Sequence, residues 1–177
     1  EIGPMEDIRY ISTRGCEGSV TASQAILKGI ADDGGLYVPA TLPVPGWDFD
    51  ELKKLDYRSL AYEVLKQFLT DYTEEELLAD CEEAYKETSF VGGAAPMINI
   101  HDNFESLELW HGPTAAFKDM ALQIMPRLLS RALTMTGEKR LAHILVATSG
   151  DTGKAALAGF QDVPGIRICV FYPHGGV

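Results

Sequence analysis

The sequence predicts an α/β protein in two parts: a parallel-sheet α/β domain in the second half, preceded by a mixed α+β region. Three observations carry that prediction. After Gly92-Gly93-Ala94-Ala95-Pro96, apolar strand-like runs alternate with helical stretches, the pattern of right-handed βαβ units on a parallel sheet. Before that stretch, short strand-like pieces stand among capped helical patterns. Two polar, small-residue segments, 110–119 and 148–153, each follow a strand and open a helix, the place where open α/β sheets bind ligands.

Taken in order, Glu1-Ile2-Gly3-Pro4 ahead of Met5 reads as an expression scar outside the fold. Residues 8–12 and 36–38 are strand-like, and residues 21–30 between them read as a helix capped by Thr21, with Ala22, Ala25, Ile26 and Ile30 on one face. Pro39, Pro43 and Pro45 with Gly46 make a turn-rich connector. Residues 59–69 carry Leu60, Val64, Leu65 and Phe68 at helical spacing. Thr73 before Glu74-Glu75-Glu76 is a capping box for a helix to about Glu87, its acidic run a solvated face. Strands are expected over 97–100, 105–110, 144–147 and 166–171, with helices opening near Lys118 and Lys154. The apolar runs 144–147 and 166–171 suit buried parallel strands, which places Cys169 in the core. Pro126 should kink or break the helical pattern 115–135 near Met125.

Hydrophobic residues are 46% and charged residues 23% of the 177, ordinary for a soluble globular protein with a real core. The formal net charge of −11 argues against nucleic acid or an anionic membrane surface as partner. No apolar run is long enough to span a bilayer, and there is no signal-peptide pattern. Cys16, Cys81 and Cys169 fit no disulfide framework and no zinc spacing. They read as reduced thiols in a cytoplasmic protein, and no metal is expected.

The chemistry concentrates in WHGPTAAFKD, residues 110–119. Thr114 is the expected N-cap, Ala115-Ala116-Phe117 opens the helix, and Lys118 falls in its first turn. The positive end of the helix dipole disfavours an ammonium there, and burial beside Phe117 and Met120 acts the same way. An amine held neutral is a nucleophile toward an aldehyde. Asp119 reads as a dipole-compensating carboxylate and His111 as a packed loop histidine. The second segment, Thr148-Ser149-Gly150-Asp151-Thr152-Gly153, joins a strand to a helix, so its turn amides and helix N-terminus form an anion site. Lys154 lies at the helix start, where its stem covers apolar surface.

At these two segments the chain resembles threonine synthase, of the pyridoxal-phosphate (PLP) enzymes in the tryptophan synthase β-like fold group. HGPTAAFKD and ATSGDTG match in the right order, and Ser12-Thr13-Arg14-Gly15 with Asp33-Gly34-Gly35-Leu36-Tyr37-Val38-Pro39 points to this family within the group. The resemblance runs from Met5 onward. It implies residues 5–90 as the family's N-terminal region and 91–177 as the first, incomplete part of the PLP-binding domain. It also implies conversion of O-phosphohomoserine and water to threonine and phosphate, a lyase reaction of threonine biosynthesis. Lys118 would hold the cofactor and shuttle protons, and Asp151 would face the cofactor ring hydroxyl. Thr148, Ser149 and Thr152 would grip the substrate carboxylate, and Arg14 would meet an anionic substrate group or a structural carboxylate. The family's phosphate loop and ring-nitrogen residue are absent from the 177 residues. A fragment of this kind is expected to be inactive and to self-associate. The alternatives are another PLP lyase of the group, such as a dehydratase or sulfhydrylase, and a non-catalytic ligand-binding relative.

Overall fold

The computed structural model describes residues 7–15, 18–148 and 150–175. The chain divides into two compact units. One runs to Cys81 and takes in Arg131–Glu138; the other comprises Glu82–Ser130 and the residues from Lys139 onward.

In the first unit, β1 (Tyr10–Ser12), α1 (Ala22–Lys28) and β2 (Tyr37–Pro39) come first. The two strands pair antiparallel, Ser12 opposite Tyr37. Thr21 caps α1 and accepts from the Gln24 amide, while Gln24 bonds back to Thr21, a capping box that satisfies two otherwise orphaned donors. The STRG and DGGLYVP segments close on each other. Ser12 Oγ donates to Asp33 Oδ1 at 2.6 Å, the Gly35 amide donates to the same oxygen at 2.8 Å, and Arg14 Nη1 donates to the Asp33 carbonyl at 2.9 Å. A Cβ on Gly35 would lie 2.1 Å from Ser12 Oγ, so only glycine fits. The structure therefore gives Arg14 a bond to a backbone carbonyl in this cluster.

Next come α2 (Phe49–Leu52), α3 (Tyr57–Leu65) and α4 (Glu74–Ala84). Asp56 caps α3; bonds from the Ser59 hydroxyl and amide and from Arg58 hold its carboxyl down to about 2. Thr73 and Glu76 exchange capping-box bonds at the start of α4, as expected. The core of this unit gathers Ala22, Tyr72, Leu77, Cys81, Ala132 and Leu133. Arg131 reaches the buried Asp80 with two nitrogens, the fork geometry that lets guanidinium and carboxylate share a half-buried site.

The second unit departs from the expected run of parallel strands. β3 (Met97–His101) and β4 (Phe104–Leu107) pair antiparallel, joined by Asp102 and Asn103. A parallel crossover needs a dozen or more residues, so a two-residue link can only be a hairpin. Strand β4 also ends at Leu107, short of Trp110. Then follow α5 (Asp119–Leu122), α6 (Met125–Met135), β5 (Ala142–Ala147), α7 (Asp151–Phe160) and β6 (Ile166–Phe171). The helix breaks between Leu122 and Met125, with Pro126 in the first turn of α6. That is the expected interruption, and it lies where proline's missing N–H costs nothing.

β5 and β6 are parallel and in register from Ala142–Ile166 to Ala147–Phe171, with α7 as their connection. Buried Ala155, Ala156 and Phe160 put one face of α7 against this pair. The other face of the pair is open: Leu145 and Phe171 are exposed. Cys169 is exposed as well, which corrects its expected place in the core. One covered face makes the strands alternate instead of burying both sides. Among the described residues, no helix is long and apolar enough to cross a membrane.

Candidate functional site

The loop around Lys118 is built from inside. Asp119 is 0% exposed, and its carboxylate accepts from the Thr114 amide at 2.8 Å and the Thr114 hydroxyl at 2.7 Å. Thr114 is itself buried. This corrects the expected N-cap: the Thr114 hydroxyl donates to Asp119 instead of accepting from helix amides. Ala115 takes a left-handed backbone, φ 56°, so the helix cannot open there, and Lys118 stands at the cap position of a four-residue helix rather than within a first turn. A Cβ on Gly112 would come within 2.5 Å of Asp119; glycine lets the loop close over the carboxylate.

With Asp119 turned inward onto Thr114, Lys118 has no hydrogen-bond or ion-pair partner among the described residues. Its Nζ lies 4.7 Å from the Phe117 ring centroid, and its side chain is half-buried. By contrast, Lys28, Lys53, Lys54, Lys66 and Lys86 each pair with a carboxylate three or four residues away. His111 is a packed loop histidine, as expected. Nδ1 lies 2.9 Å from the Val91 carbonyl and Nε2 lies 2.7 Å from Glu108. The Glu108 bond, and after it the Val91 bond, raises its pKa above the ordinary histidine value.

The second loop follows β5. The Gly150 amide donates to Thr148 Oγ1 at 3.3 Å. Among the described residues no side chain caps α7, which leaves its first amides to water or a ligand. Asp151 and Thr152 are exposed in that first turn, and neither has a bonded side-chain partner among the described residues. Ser149 lies outside the described residues. An open cleft of about 610 Å³ is lined by Thr114, Thr148, Gly150, Asp151, Gly153, Lys154, Val170 and Tyr172, among others.

The structure thus brings Thr148 and Asp151 to one cleft with Thr114 of the lysine loop; Lys118 and Thr152 are not among its lining residues. Of the two loops, only the second follows a parallel strand; the Lys118 loop follows the β3–β4 hairpin. Lys154, whose stem is expected to cover apolar surface, also donates from Nζ to the Thr114 carbonyl at 3.2 Å and ties the two loops together. The Thr114–Asp119 pair was missed for its structural part, because the left-handed turn at Ala115 that allows it has no marker in an alanine.

Residues 9–85 match the family model described as Threonine synthase N terminus. Threonine synthase of Pseudomonas aeruginosa is 39% identical over 176 residues, covering 96% of this chain and 36% of that protein. The chain is related to the threonine synthases. Its fold agrees. The PLP-bound threonine synthase from Brucella melitensis superposes with a TM-score of 0.86 at 35% identity, over 96% of this chain and 36% of that one. The yeast threonine synthase gives 0.87 at 31% identity, over 98% and 37%. The chain therefore spans a little over a third of the length of these relatives.

Proposed function

We propose that this chain is part of a PLP-dependent lyase that converts O-phosphohomoserine and water to threonine and phosphate, phosphate leaving Cγ and water adding at Cβ. The observation that carries this reading is Lys118: an amine with no ion-pair partner among the described residues, because its neighbouring carboxylate is committed to Thr114. The relation to threonine synthases, one of them PLP-bound, supports the cofactor and the substrate.

The residues present suit PLP. An amine without an ion-pair partner among the described residues is available to the aldehyde, and the start of α7, uncapped among those residues, lies beside an open cleft lined in part by Thr148 and Asp151. PLP, when bound, supplies an electron sink for charge developing on substrate carbons. Lys118 holds the cofactor and then acts as base, taking the proton from substrate Cα and moving protons at Cβ. Thr148, Ser149 and Thr152 grip the substrate carboxylate with their hydroxyls, helped by the positive end of α7. Asp151 would hold the ring hydroxyl of a bound cofactor. Cys169 is a free thiol, which supports a cytoplasmic setting.

Phosphate release from O-phosphohomoserine, measured on the whole protein with PLP, tests the reading. Turnover that Lys118→Ala abolishes supports it; turnover that persists in Lys118→Ala contradicts it.

A further inference from the structure

We propose that Thr114 and Asp119 form a positioning latch that aims the Lys118 amine, and that Lys154 transmits the position of the 148–153 loop to it. The inference rests on the reading of Lys118 above and adds three residues to it, Thr114, Asp119 and Lys154, as supports for the amine. Asp119 is wholly buried beside Gly112, with both carboxylate oxygens engaged by Thr114. Lys118 is the adjacent residue, so the latch sets the backbone from which its side chain projects. Thr114 is also the anchor for Lys154, whose ammonium bonds the Thr114 carbonyl. One threonine therefore holds the loop bearing the amine through its amide and hydroxyl, and holds the helix that follows the anion loop through its carbonyl.

The pattern is that of a supporting network rather than a reactive group. A carboxylate that is wholly buried, with a Thr114 bond on each oxygen, presents no surface to substrate. A reactive amine must be held within about half an ångström of its productive place, and locked neighbours do that. Displacement of a reacting group by about 1 Å costs up to about a hundredfold in rate.

The latch predicts a distinction between two reactions of the same nitrogen. Condensation with PLP, in which the N–C bond forms, water leaves and borohydride then delivers hydride to carbon, requires the amine to be aimed at a bound aldehyde. Acylation by acetic anhydride, in which the amine displaces acetate, requires only access. The test is to label the whole protein by each route and map both labels on Lys118 by mass spectrometry, in wild type, Thr114→Val, Thr114→Ser and Asp119→Asn. Valine keeps the shape and loses the hydroxyl bond. Serine keeps the bond. Asparagine keeps both bonds with its amide oriented to accept from the Thr114 N–H and donate to the Thr114 hydroxyl, so it removes charge without opening the latch.

The expected result is a fall of about tenfold in the PLP-to-anhydride ratio at Lys118 in Thr114→Val, with serine and asparagine near wild type. A merely structural role would lower folding stability and leave the ratio unchanged; an unchanged ratio in Thr114→Val overturns the inference. If wild type itself carries no PLP label on Lys118 while the anhydride label is present, the functional reading fails and takes the latch with it.

Discussion

The two loops of the candidate site solve opposite problems. The Lys118 loop turns its polar groups inward: Asp119 and Thr114 satisfy each other in a buried position, and the lysine is the group left over. The 148–153 loop turns them outward: Asp151 and Thr152 are exposed, and α7 begins without a side-chain cap among the described residues. One loop commits its hydrogen bonds to its own geometry; the other leaves its side chains open to solvent, as a ligand grip would need. Substitutions in the first should therefore register in stability, and those in the second in binding.

The largest expected effect is Asp119→Ala. It leaves two Thr114 donors unpaired in a buried site, at roughly 1–3 kcal/mol each. Thermal unfolding should show a clear drop in midpoint, and a midpoint within a degree of wild type would break the contrast between the loops. Thr152→Ala should leave that midpoint in place. If the hydroxyl bonds the substrate carboxylate, its loss costs roughly 1.5–3 kcal/mol of binding. Steady-state kinetics should show this as weaker substrate binding with the cofactor retained. Unchanged kinetics in both Thr152→Ala and Ser149→Ala would show that the outward loop is not a ligand grip.

A smaller effect sharpens the comparison at its edge. His111 has its pKa raised by Glu108 and then by the Val91 carbonyl. A raised folded-state pKa means that protonated His111 favours the fold. That contribution is complete below the ordinary histidine value and fades as pH rises through the raised one. Glu108→Gln should lower the His111 midpoint in an NMR titration and flatten the stability change over that window; a midpoint that does not move would remove Glu108 as the cause. Smallest is the first-unit control, Thr21→Ala. Losing a capping-box hydroxyl costs about 1 kcal/mol, and denaturant unfolding should detect it with no change at either loop.

Local devices were legible in the sequence. The caps at Thr21 and Thr73 and the break at Pro126 depend on residues within a few positions of one another, so the chain states them directly. The Lys118 and Thr148 segments stand out in the sequence because their residue types are unusual together, and the structure puts Thr114 of the first and Thr148 of the second on one cleft. What the sequence hid depends on distant packing or on rare backbone states. The left-handed turn at Ala115 exists because Asp119 folds back beneath Gly112. The Lys154–Thr114 bond joins residues forty positions apart. The open face that exposes Cys169 depends on what does not cover β6 among the described residues. The antiparallel pairing of β3 and β4 was implied by the four-residue gap between the expected strands 97–100 and 105–110, too short for a parallel crossover, but strand–helix alternation elsewhere outweighed it.

Lys118 is the amine proposed to meet the cofactor aldehyde. The most direct measurement is borohydride reduction of the whole protein in the presence of PLP, followed by peptide mapping. The account predicts a pyridoxyl group on Lys118, absent from Lys118→Ala; a label carried instead by Lys154 or Lys139 would contradict it.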